Sequence, residues 1–103
     1  MTFFLDVSDE AKHRLRKLKK KDPELTKRIL KKFDLIIKNP YHYEVLKGDL
    51  HDARKAPVGD KYRIIFDIHE DEKSVIILLF GHRKDIYTKN ELFKAFQKSK
   101  KRR

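Results

Sequence analysis

Ser74-Val75-Ile76-Ile77-Leu78-Leu79-Phe80-Gly81-His82-Arg83-Lys84-Asp85-Ile86-Tyr87 is an apolar run that ends in a glycine, an imidazole and a guanidinium. Ser74–Phe80 does not alternate between apolar and polar residues, so it reads as a strand covered on both faces, hence a central one. Gly81 lets the backbone turn where the strand stops. His82, Arg83, Asp85 and Tyr87 are therefore presented at one edge of a sheet. A cation, an imidazole and a phenol on a rigid frame suit a phosphate better than an apolar ligand.

Upstream of this strand, Glu70-Asp71-Glu72-Lys73 is a polar turn. Before it, Tyr62-Arg63-Ile64-Ile65-Phe66-Asp67-Ile68 alternates, with Tyr62, Ile64, Phe66 and Ile68 toward the core and Arg63, Ile65 and Asp67 on the other face. Gly59-Asp60-Lys61 turns it back to a short basic strand, Ala53–Val58, and residues 41–52 read as a loop containing Gly48. The N-terminal part opens with a strand over Phe3–Val7, with Phe3, Leu5 and Val7 on one face. Ser8 or Asp9 offers a helix N-cap, and Ala11, Leu15 and Leu18 follow at helical spacing among basic residues. Asp22-Pro23 starts a second helix, with an acid at the cap and proline at the first helical position. Leu25, Ile29, Phe33 and Ile36 or Ile37 carry that helix to Asn39-Pro40, which stops it. Helices joined this closely form an antiparallel hairpin. Downstream, Asn90–Gln97 predicts a short terminal helix with Leu92, Phe93 and Phe96 inward, and the basic tail 98–103 is expected to be disordered. The order β-α-α-β-β-β-α predicts an α+β fold: a small curved, antiparallel or mixed sheet with an N-terminal helical hairpin packed on it and a short C-terminal helix. Residues 1–97 are expected to be a single domain.

The composition narrows the function. At 103 residues the chain suffices for one domain and one core. It has no cysteine, which excludes a disulfide framework and a zinc ribbon. It has no apolar run long enough for a transmembrane helix and no basic leader at its start, so a cytoplasmic protein without membrane attachment is expected. Lysine and arginine total 27 against 16 acids, a net charge of +11. Residues 12–32 carry eleven of those cations, with only Asp22 and Glu24 as acids. A heat-adapted surface also carries many charges, but it balances lysine with glutamate. This one does not, which points to a polyanionic or acidic partner. His13, His42, His51, His69 and His82 have no metal-ligand spacing, and there is no glycine-rich phosphate loop. No metal and no cofactor is expected.

Five segments taken in order resemble the RelE/ParE toxin superfamily of toxin–antitoxin systems, in its RelE-like branch. They are Leu5–Lys12, Lys38-Asn39-Pro40-Tyr41-His42, Leu46-Lys47-Gly48-Asp49-Leu50, Val58–Phe66 and Gly81–Tyr87. The resemblance spans residues 3–90. It implies a toxin that enters the ribosomal A site and cuts mRNA there, and a cognate RelB-like antitoxin that wraps it and holds it inactive. It also implies a toxin–antitoxin heterotetramer that binds operator DNA through the antitoxin. The superfamily also holds ParE-like inhibitors of DNA gyrase that cut no RNA, and inactive members that only bind RNA or antitoxin are a further alternative.

Metal-free RNA cleavage needs a base for the ribose 2′-OH, cations for the pentacoordinate phosphorane and an acid for the departing 5′ oxygen. The resemblance assigns catalysis to Lys55, Arg63, Arg83 and Tyr87. Arg63 matches the arginine of the family's Tyr-Arg strand, and its fork can hold two phosphate oxygens. As a plain strand residue it would instead pair with Asp67. Arg83 matches the arginine after the last strand, and Tyr87 a tyrosine that stacks on a base or moves a proton. Strand alternation lets only one of Arg54 and Lys55 share the face of Arg63, and Lys55 is the better match. The family usually has a second basic residue two positions on, where this chain has Pro57, leaving Arg54 or Lys61 to substitute. His82 is an acid, a base or an RNA contact, or else a buried histidine. Lys12, Arg16, Lys19 and Lys20 on the first helix form a surface that tracks ribosomal RNA without choosing sequence.

Overall fold

Two helices capped by side-chain oxygens, and strands read from their apolar pattern, build the fold from local rules. The computed structural model of the chain describes residues 2–46 and 53–86. Its elements are β1 (Phe4–Val7), α1 (Asp9–Lys21), α2 (Pro23–Lys38), a 3-10 turn (Pro40–His42), β2 (Glu44–Val45), β3 (Ala53–Val58), β4 (Tyr62–His69), a second 3-10 turn (Glu70–Glu72), β5 (Ser74–His82) and α3 (Arg83–Ile86). Gly48, Tyr87, the expected helix 90–97 and the tail 98–103 lie outside the described residues.

Ser8 caps α1. Its Oγ accepts from the Ala11 N–H at 3.1 Å and donates to the Leu78 carbonyl at 2.7 Å. One hydroxyl thus satisfies a helix end and a carbonyl on the β5 edge beyond the last residue that β1 pairs. Asp9 and Glu10 stand in the first turn of α1 and Lys19–Lys21 in the last, each opposite the sign of the helix end it faces. Asp22 accepts from the Leu25 N–H at 3.1 Å, and Pro23 opens α2 at the position where its missing N–H costs nothing.

The described strands form one sheet in the order β1-β5-β4-β3-β2. β1 runs parallel to β5, and the other pairs are antiparallel. The register slips between Ile65, which pairs with Leu79, and Phe66, which pairs with Ile77, leaving Leu78 as an extra residue on β5. This bulge changes which residues face the helices. Val75, Ile77 and Phe80 pack on the helix side with Ile29, Phe33, Ile36, Ile64 and Phe66. Ile76, Leu78 and Leu79 pack on the opposite face with Ala53, Ile65 and Ile86. Both faces of β5 are therefore buried, as its unbroken apolar run predicts.

Three sequence-based expectations are corrected. The 41–52 segment is not all loop, because Glu44–Val45 pairs with Lys55–Arg54. Two residues are too few to display an alternation. Leu5 does not join Phe3 and Val7 in the core; it is exposed, on a strand that forms the edge of the sheet. The chain after β5 is helical at once, over Arg83–Ile86, where no helix was expected.

Candidate RNA-cleavage groove

β2 covers only the first part of β3, so among the described residues no strand pairs with the edge of β3 from Ala56 onward. At that edge an open groove of about 640 Å³ is lined by Lys32 and Leu35 of α2, His42 and Tyr43, Glu44 of β2, Lys55 and Pro57 of β3, and Arg63 of β4. Register sets the lining. Lys55 pairs with Ile65 and Pro57 with Arg63, and paired residues share a face, so Lys55, Pro57 and Arg63 all point away from the helices. Proline is tolerated in β3 because the strand is open on one side there.

Each predicted residue except Tyr87 has a definite place. Lys55 Nζ lies 3.1 Å from Glu44 Oε2, across the β2–β3 pair. An exposed pair of this kind adds little stability, about 0–1 kcal/mol, so its main effect is to aim the lysine along the groove. Arg63 Nη1 donates to the carbonyls of Tyr62, Asp60 and Gly59 at 2.8, 3.2 and 3.5 Å. Those bonds hold one guanidinium nitrogen on the β3–β4 turn, and the others make no hydrogen bond among the described residues. Arg63 does not pair with Asp67. That carboxylate is buried and meets His69 Nε2 at 3.0 Å, while His69 Nδ1 lies 3.6 Å from Glu72.

Arg54 is on the opposite face. It pairs with Phe66, donates to the Tyr43 carbonyl at 2.7 Å and lies over the Tyr41 ring at 5.3 Å. It therefore anchors the segment before β2 rather than joining Arg63. Lys61 is exposed in the turn, and its carbonyl accepts from the Arg83 N–H at 2.7 Å. Arg83 is thus exposed at the start of α3, two residues beyond Gly81, the partner of Arg63. His82 pairs with Tyr62, with rings 5.6 Å apart, and so faces the helix side, away from Lys55 and Arg63. Its Nδ1 accepts from the Lys84 N–H at 3.1 Å. Tyr87 lies outside the described residues.

On α1, Arg16, Lys19 and Lys20 line a shallow depression together with His13 and Lys17, and Lys12 is exposed one turn earlier. This second cationic surface is separate from the groove.

Glu44 and Lys32 are groove residues that sequence reasoning missed. Glu44 lies eleven positions before Lys55, and only the short β2–β3 pairing brings them together. Tyr43 packs edge-on against Phe66 at 5.8 Å. Burial raises its pKa above the ordinary 10.0, so at neutral pH it is a phenol and not a base.

Comparison with known proteins agrees with this architecture. Residues 5–87 match the model of a family described as the ParE toxin of type II toxin–antitoxin systems. A Methanocaldococcus jannaschii protein named "Putative toxin RelE4" is 39% identical over 80 residues, covering 78% of this chain and 85% of its own. An Escherichia coli RelE toxin double mutant in the free state superposes with a TM-score of 0.73 at 21% identity, covering 94% of this chain and 97% of that one. The Mycobacterium tuberculosis RelBE2 toxin–antitoxin complex contains a chain that superposes with a TM-score of 0.71 at 23% identity, covering 82% of this chain and 95% of that one.

Proposed function

The chain belongs to the ParE toxin family within the RelE/ParE superfamily, as a toxin of a type II toxin–antitoxin system, and from that premise we propose that it is a ribosome-dependent mRNA endonuclease. The observation that carries the proposal is the groove in which Arg63, Lys55 and Glu44 meet. Arg63 has the geometry to grip the scissile phosphate through the guanidinium edge not used on the turn. Lys55 stands beside it, able to offset the charge that builds on the phosphorane. Glu44 can take the proton from the ribose 2′-OH as the general base. The 2′ oxygen then attacks the phosphorus and the P–O5′ bond breaks. The products are a 2′,3′-cyclic phosphate and a 5′-OH, with Arg83 and Tyr87 as the groups proposed to assist the departing oxygen. Lys12, Arg16, Lys19 and Lys20 serve as the ribosomal RNA contact. A RelB-like antitoxin that brings acids to the groove would neutralise it, and operator binding would then belong to that complex.

A second reading has its own support. Pro57 stands in the groove where a further cation is usual, and the matching family model is that of ParE toxins. A ParE-like toxin would inhibit gyrase and leave mRNA intact. Expression of wild type, Arg63→Ala and Arg83→Ala in a sensitive host separates the two. Growth arrest with cut mRNA, lost in both variants, supports the endonuclease. Arrest that persists in both variants, with inhibited supercoiling, supports the gyrase reading.

A further inference from the structure

Gly59 sits in the β3–β4 turn with a left-handed φ of +62°. The space where its side chain would stand is filled by Arg28 of α2, because a Cβ built there would lie 2.6 Å from Arg28 Nη2. The carbonyl of the same glycine receives Arg63 Nη1 at 3.5 Å. Two guanidinium groups, one from a helix and one from a strand, therefore converge on one residue. Among the described residues no carboxylate bridges them. Lys32 follows Arg28 by one helical turn on the same side of α2 and lines the groove with Arg63 and Lys55. Like charges gathered in this way repel one another, and a bound anion relieves the repulsion.

The open edge of β3 is where such an anion would pass. An added peptide strand is disfavoured there. Proline fits in β3 only with its nitrogen turned from the β4 ladder, toward the open edge, where it withholds a donor that an incoming strand needs. An extended phosphodiester needs cations at intervals and no backbone donors.

We propose that Arg28 and Lys32 form a second phosphate subsite, which receives the backbone of single-stranded RNA next to the scissile phosphate as the strand crosses the edge of β3. The inference rests on the endonuclease reading for the identity of the ligand, and binding tests it apart from cleavage. The probe is a short fluorescein-labelled RNA with its 2′-hydroxyls methylated, so that it cannot be cut. Wild type, Arg28→Gln, Lys32→Gln and the double variant are titrated by anisotropy over a range of salt concentrations. Each substitution is expected to weaken binding about fivefold and to lower the slope of log Kd against log salt by about 0.7, hence about 1.4 for the pair. On the ribosome the double variant is expected to raise KM and leave kcat near wild type. A slope unchanged in the double variant overturns the subsite, even where the wild type cleaves. A lowered slope in a protein that never cleaves upholds the subsite and removes only the endonuclease reading. Loss of a labelled polyglutamate peptide with full retention of RNA would assign the groove to an acidic protein and overturn the proposal.

Discussion

Arg63→Ala removes the guanidinium at the centre of the groove, and the structure separates its cost in activity from its cost in stability. The side chain gives the fold hydrogen bonds from one nitrogen to three carbonyls of an exposed turn. Those carbonyls can turn to water when the arginine is gone, so the stability loss is about 0.5–1 kcal/mol. For a domain of this size that is a fall in Tm of roughly 2–8 °C. The loss in catalysis is larger. Removing one preorganised group that stabilises transition-state charge costs on the order of 10²–10³ in rate, or about 2.7–4 kcal/mol. Arg63→Lys keeps the charge but loses the fork, and it is expected to fall between the two, roughly tenfold below wild type. The assay is single-turnover cleavage of mRNA on stalled ribosomes, beside a thermal melt of each protein. Arg63→Ala that melts near wild type yet cleaves within a few-fold of it would refute the assignment.

Three further outcomes are expected. Glu44→Gln keeps the size of the side chain but removes the carboxylate base, so single-turnover cleavage should fall on the order of 10²–10⁴ with the fold retained; a rate within a few-fold of wild type would refute that role. Ser8→Ala strips a helix cap and leaves the buried Leu78 carbonyl without its donor, costing about 2 kcal/mol in urea unfolding. Burial raises the folded-state pKa of Tyr43 above its unfolded value, so the unfolded chain loses this proton first as pH rises. Its contribution is fully present below pH 10 and is lost through the range above that value. Tyr43→Phe should therefore lessen the alkaline fall in stability, measured as Tm against pH.

Much of this fold could be read along the chain because its determinants are local. Ser8 and Asp22-Pro23 announce their helices within four residues, and the 62–68 alternation places Arg63 and Ile65 on one face without reference to any partner. That only one of Arg54 and Lys55 shares the face of Arg63 needed only the two-residue period of a strand; the preference for Lys55 came from the resemblance, and the register puts Lys55 on that face. What escaped depends on pairing between distant residues. β2 exists because Glu44 and Val45 find Lys55 and Arg54, and nothing within those two residues signals it. The bulge at Leu78 is invisible in an unbroken apolar run, yet it decides that Phe80 and His82 face the helices while Gly81 lies opposite Arg63. Glu44 beside Lys55, and Arg28 against Gly59, are consequences of register and helix docking. Neither has a sequence spacing that could have disclosed it.

The central claim is that this groove cuts mRNA when the ribosome presents it. Its most direct test is primer extension on a defined mRNA, held on ribosomes with an empty A site, with wild type and Arg63→Ala added separately. The account predicts a cut within the A-site codon for the wild type, no cut on naked RNA, and a trace or none for the variant. An intact message on ribosomes matched to the source, or equal cutting by both proteins, would contradict it.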